Sequence, residues 1–284
     1  MENALEVRGL TKHYRGFTLD GVSFSLPTGC IMGFIGENGA GKSTTIRLML
    51  GLARAEAGSV RLLGEDPAAG GAALREKLGV VMDDCGIPET LSLRDMRRIL
   101  SAGYRTFDAG RFDALAARFE LPERKLVKDY SRGMRMKLSL AAALAHRPRL
   151  LVLDEPTGGL DPVARDGILD ILNDFTRDET HAVLLSSHIL SDLEKICDYV
   201  ALLRRGKLLF CEEKDRLTES CAVVRLPERE LDILPEHAVL GLRRNGYAAE
   251  ALVRRDALPP SVTAERTTLE EIVLLLSKHE TERE

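Results

Sequence analysis

Twelve residues constrain this chain more than any other stretch: Gly33-Phe34-Ile35-Gly36-Glu37-Asn38-Gly39-Ala40-Gly41-Lys42-Ser43-Thr44. Gly36, Gly41, Lys42 and Ser43 match G-x-x-x-x-G-K-[ST], the spacing of a phosphate-binding loop. Gly36, Gly39 and Gly41 let the backbone bend tightly and turn its N–H groups toward one anion. Lys42 adds a mobile positive charge for terminal phosphates, and the Ser43 hydroxyl suits the Mg²⁺ that accompanies them. Residues 30–35, just before, are a short apolar run that reads as a buried strand. Residues 44–50 read as a helix, whose N-terminal end carries partial positive charge.

A chain of 284 residues can bury a large core and carry an appendage or second domain. Forty basic and 44 acidic residues leave a net charge of −4, which argues against a dedicated nucleic-acid binder. No apolar run approaches the ~18 residues of a membrane span. The opening Met1-Glu2-Asn3-Ala4-Leu5-Glu6 lacks the basic and apolar regions of a secretion signal. The five cysteines form no C-x-x-C pair, so reduced thiols in the cytosol are expected, without a metal site.

Along the chain, residues 4–8 and 17–26 alternate as half-buried strands do. Tyr14 lies between them, and its spacing alone makes it a turn aromatic covering a sheet edge. Residues 58–63 and 78–82 read as further strands, the second ending in Asp83 and Asp84. From Ser92 to about Lys128 apolar residues recur every three or four positions, the mark of a helical insertion of two or three helices. Ser131 is a good N-cap for a helix over residues 135–146. Residues 150–153 form a wholly apolar strand that ends in Asp154 and Glu155. In a parallel sheet such carboxylates face the ligand crevice. Asp154 is placed to hold Mg²⁺, and Glu155, on the other side of the strand end, to act as base for an attacking water. Pro162 suits the first position of the next helix. Residues 182–187 are another buried strand ending at His188, which by itself reads as a cap or core histidine. Strands and helices alternate from Gly33 to His188, which predicts a mixed, mainly parallel sheet covered on both faces.

With Ser131-Arg132-Gly133-Met134 placed between the phosphate loop and Asp154-Glu155, the order of motifs resembles the nucleotide-binding subunits of ABC transporters over about residues 4–212. The resemblance implies a P-loop NTPase cassette over residues 1–214, with an antiparallel β subdomain and a helical insertion at about 84–135; residues 215–284 are expected to form a small α+β appendage on their own signals, given below. It makes Tyr14 the adenine-stacking aromatic, against the reading from spacing. It assigns Gly36, Asn38, Gly39, Ala40, Gly41, Lys42, Ser43 and Thr44 to the phosphate loop. Ser43, Asp154 and Asp83 become the Mg²⁺ set, and Lys42, Glu155, His188 and Asp83 the hydrolytic set. Ser131 and Gly133 would cap the γ-phosphate bound by an opposite subunit, and Asp161, with Gly159 and Leu160, would form the D-loop and join the nucleotide-binding set. Three residues depart from the family pattern. Asp83 stands where Gln is usual, and the signature reads Arg132 for its first Gly and Met134 for its terminal Gln.

The implied function is an ATP-binding, ATP-hydrolysing subunit that dimerises on ATP with a second copy or a related chain. It would power a separate integral membrane permease, from the cytoplasmic face of the cell membrane, as an exporter of drug, peptide or lipid-like cargo. ATP and Mg²⁺ are the expected cofactors and no nucleic acid is expected. The alternatives are a soluble switch of the same cassette type acting on ribosome or nucleic acid, and a low-turnover regulatory subunit. Beyond about Asp215 the resemblance fades. Residues 222–226, 239–242 and 248–253 read as short strands, and Thr268-Leu269-Glu270-Glu271 as a capping box opening a helix whose apolar face packs on them.

Overall fold

The computed structural model describes residues 2–279. These fall into two compact units, residues 2–189 with 201–211, and residues 190–200 with 212–279. No helix among the described residues is long and apolar enough to cross a membrane.

In the first unit, β1 (Asn3–Tyr14) and β2 (Phe17–Pro27) form an antiparallel hairpin. The strand expected over residues 4–8 runs on to Tyr14. The pairing slips between Val7 and Leu10, where Gly9 takes a φ of 59° and donates its N–H to Ser23 Oγ at 2.7 Å. This bulge breaks the apolar alternation while the strand continues beyond it. Next come β3 (Ile31–Ile35), α1 (Lys42–Met49), β4 (Ala57–Leu62), α2 (Gly71–Arg75) and β5 (Leu78–Val81). β4 pairs antiparallel with β1 and completes a three-stranded sheet in the order β2-β1-β4.

The helical stretch resolves into α3 (Leu93–Gly103), α4 (Ala109–Arg118) and α5 (Arg132–Ala145). Ser92 caps α3 with a capping box to Asp95, and Asp108 caps α4 by accepting from Arg111 N at 2.9 Å. Ser131 caps α5, which begins at Arg132 rather than residue 135, because its hydroxyl takes the Met134 N–H at 3.2 Å. β6 (Leu150–Asp154), α6 (Pro162–Phe175) and β7 (Ala182–Ser187) follow, then α7 (Leu190–Ile196), β8 (Tyr199–Arg204) and β9 (Lys207–Glu213). The main sheet has the order β5-β6-β7-β3-β8-β9, and β5, β6, β7 and β3 run parallel. Every residue of β3, β6 and β7 is buried, as expected for strands with helices on both faces.

The second unit holds α8 (Lys214–Ser220), β10 (Cys221–Pro227), β11 (Val239–Arg244), β12 (Ala248–Arg254) and α9 (Leu269–His279). Its antiparallel sheet has the order β10-β12-β11. Strand alternation sends Ala222, Val224 and Leu226 to one face, where Leu231 and Leu234 cover them. Val223 and Leu252 go to the other face, against Ile272 and Leu275 of α9. The apolar side of α9 thus packs on its own strands. Thr268 and Glu271 exchange backbone N–H groups at 3.1 and 3.2 Å, the expected capping box.

Candidate active site

Because β6, β7 and β3 are parallel neighbours, the residues that follow them emerge side by side. After β3 comes the glycine loop, after β6 Glu155, after β7 His188.

The loop's glycines answer to space as well as torsion. A Cβ at Gly36 would stand 2.5 Å from the Leu203 carbonyl oxygen. At Gly41, where φ is 109°, it would stand 2.7 Å from Phe17 Cζ. Arg205 and Gly206, at φ of 44° and 81°, turn β8 back into β9. Gly206 N donates to Ala40 O at 2.9 Å, which braces the glycine loop from outside. α1 starts with no side-chain cap and no acid in its first turn, so its leading N–H groups and dipole are left to the loop. Lys42 is 94 % buried; its Nζ donates to Gly36 O at 2.6 Å and lies 3.3 Å from Glu155 Oε1. Ser43 and Thr44 are half-buried; Asn38 and Gly39 are exposed.

Asp154 is buried at the end of β6, opposite Ser186 of β7. The Ser186 hydroxyl donates to Asp154 Oδ1 at 2.6 Å and accepts the Glu155 N–H at 3.1 Å. Sequence reasoning missed Ser186; its only signal is a hydroxyl closing an apolar strand. Glu155 takes a left-handed φ of 52° and brings its carboxylate to Lys42 and His188 together. His188 Nδ1 lies 2.6 Å from Glu155 Oε2, and its backbone N–H donates to the same oxygen at 3.4 Å.

No hydrogen bond or ion pair among the described residues links Tyr14, Asp83, Ser131, Gly133 or Asp161 to Lys42, Glu155 or His188. Tyr14 ends β1, half exposed, with Lys12 Nζ 5.7 Å from its ring centre. Asp161 caps α6, accepting from Val163 N and Ala164 N at 3.1 and 3.0 Å, and these N–H groups hold its carboxyl below the usual range. Asp83 forms an ion pair with Arg132.

A separate groove of about 290 Å³ runs between β5 and α1 on one side and α3 and α5 on the other, lined by Leu50, Leu52, Val80, Leu100, Tyr104 and His146. His146 is buried, stacks on Tyr104 at 4.1 Å and donates from Nε2 to Leu78 O at 2.8 Å. Burial pushes its pKa below the ordinary 6.5. The unfolded chain therefore binds this proton first, and stability is full above about pH 6.5 and falls as the pH drops below it. Urea midpoints are expected to decrease between pH 7.5 and 5.5, and His146→Gln to flatten that slope; an unchanged slope in the variant would assign the acid sensitivity elsewhere.

The sequence profile of the family described as "ABC transporter" matches residues 19–158. The chain is 38 % identical over 212 residues to the uncharacterized ABC transporter ATP-binding protein YhcH of Bacillus subtilis, covering 74 % of this chain and 70 % of that one. It is 32 % identical to the bacitracin transport ATP-binding protein BcrA of Bacillus licheniformis, over 74 % of this chain and 69 % of that one. Among solved structures, one described as the ATP binding subunit of an ABC transporter superposes with a TM-score of 0.70 at 29 % identity, covering 76 % of this chain and 92 % of that one.

Proposed function

The chain belongs to the ATP-binding subunits of bacterial ABC transporters and is an ATPase that powers a separate permease; from that premise we propose how its residues do so. The observation that carries the reading is the convergence of Lys42, Glu155 and His188 where three neighbouring parallel strands end. ATP lies with its adenine on Tyr14 and its triphosphate on the amides of Gly36, Asn38, Gly39, Ala40 and Gly41, with Lys42, Ser43 and Thr44 at the helix start. Glu155 takes the proton of the attacking water, and His188, hydrogen-bonded to Glu155, holds the terminal phosphate.

The donor set suits a hard divalent ion. Ser43 supplies a hydroxyl and Asp154 a buried carboxylate whose position Ser186 holds, both oxygen ligands of the kind Mg²⁺ prefers. Mg²⁺ bound there would neutralise charge on the phosphates. Asp83, the third expected ligand, is engaged by Arg132 instead.

Residues 1–214 form the cassette and residues 215–284 an appendage. In one copy no hydrogen bond or ion pair among the described residues ties Ser131, Gly133 or Asp161 to Lys42, which accords with their service to a second copy's nucleotide in a dimer closed over ATP. The apolar groove beside His146 is where a helix of the permease docks, holding the subunit at the inner face of the cell membrane. The relation to a bacitracin transport protein supports export of a drug or peptide.

Detergent-solubilised native membranes test the assignment. Purifying the chain is expected to bring down a polytopic protein with about six apolar spans. Recovery only with ribosomes or nucleic acid would overturn it in favour of a soluble switch.

A further inference from the structure

Two of the three residues that depart from the family pattern, Asp83 and Arg132, hold each other. Arg132 Nη2 donates to Asp83 Oδ1 across 49 positions of sequence. Asp83 lies just beyond β5, and Arg132 is the first residue of α5, directly after the N-cap Ser131. The arginine stem follows the turn after β6: a Cβ on Gly159 would lie 3.8 Å from Arg132 Cδ, and one on Gly158 3.9 Å from Nη2. Neighbouring Gly133 fits the same crowding, since a Cβ there would stand 2.8 Å from Leu160 Cδ2. Three segments, after β5, before α5 and after β6, therefore meet at this guanidinium.

The pair is built to open. The side chains of Arg132 and Asp83 are 60 % and 51 % exposed, and an ion pair so exposed to water adds little stability. A terminal phosphate carries more charge than one carboxylate and offers three acceptor oxygens in the geometry a guanidinium fits. The next cation of α5, Arg135, is held by Glu89 Oε1 and Lys128 O, both at 3.1 Å.

We propose that Arg132 is a phosphate-binding residue held in reserve by Asp83. Without nucleotide it stays on the carboxylate of its own chain. When a second copy closes, Arg132 leaves Asp83 for the terminal phosphate on that copy's glycine loop. Asp83 is released at the point where the helical insertion begins, so occupation of the interface is felt at the base of the insertion. The inference rests on the reading that Ser131 and Gly133 face the partner's nucleotide.

The test uses the full chain carrying Glu155→Gln, so that ATP persists, with dimerisation followed by analytical ultracentrifugation against ATP. Adding Arg132→Ala is expected to weaken dimerisation roughly 10- to 100-fold, because a charge-assisted bond is lost at each of two sites. Adding Asp83→Asn is expected to tighten it about 3- to 10-fold, because the competing ion pair is gone. In the variant with both changes the tightening should vanish. Exchanging the pair, Asp83→Arg with Arg132→Asp, restores the intrachain contact but not the phosphate contact, and dimerisation should stay as weak as with Arg132→Ala. Recovery in the exchanged variant, or weakening by Asp83→Asn, would make the pair a purely structural tie and overturn the proposal. If the Glu155→Gln parent itself stays monomeric in ATP, the two-copy reading falls first and this inference with it.

Discussion

Glu155→Gln is expected to cut ATP turnover roughly 10²- to 10⁴-fold, the range that a positioned general base contributes. Glutamine keeps the size of the side chain and one oxygen for the 2.6 Å contact with His188 Nδ1. What it loses is the ability to accept a proton. It also loses its charge, and with it the attraction to Lys42 3.3 Å away. Lys42 then gives up less on moving to a bound triphosphate, so ATP binding should hold or tighten while hydrolysis stops. Steady-state phosphate release together with size-exclusion chromatography in ATP reads both effects, the second as an accumulating dimer. Turnover within tenfold of the unaltered protein would remove Glu155 as the base.

Lys42→Ala carries the second large effect, on two observables that separate its roles. Removing a buried cation from a phosphate site should weaken ATP binding by about 2–5 kcal/mol, roughly 30- to 5,000-fold. The same change leaves Glu155, whose side chain is only 13 % exposed, without its cation. Breaking a buried pair from one side costs about 3–5 kcal/mol, because the surviving charge stays desolvated. The nucleotide-free protein should therefore unfold at lower urea. Combining Lys42→Ala with Glu155→Gln removes the orphaned charge and should recover part of that loss, while ATP binding stays weak. Isothermal titration and urea denaturation of the three variants decide the matter. A double variant no more stable than Lys42→Ala alone would show that the pair does not support the empty site.

Much of the site was legible because its signals are local. The glycine loop, the apolar strand before Asp154 and the caps Ser131 and Thr268 all depend on residues within a few positions of one another. Such contacts repeat in any protein that uses the same spacing. The strand that ends at Tyr14 was harder: it passes through the bulge at Gly9, and the alternation that marks a strand is lost there while the hydrogen bonds continue. Ser186 left almost no trace, since a single hydroxyl in a buried strand has meaning only beside Asp154 on the neighbouring strand.

By itself, then, the amino-acid sequence determined the glycine loop between β3 and α1, the carboxylates at the strand end, the helical character of the insertion and the sheet-and-helix make-up of the C-terminal unit. Periodicity, glycine torsion and capping act over a few residues and are written in order along the chain. Tertiary structure alone decided that Glu155 meets Lys42 and His188 and that Asp83 meets Arg132. Those pairs are separated by tens to more than a hundred positions. They come together because burying the apolar faces of β3, β6 and β7 sets the order of the strands, and strand order sets which ends are neighbours.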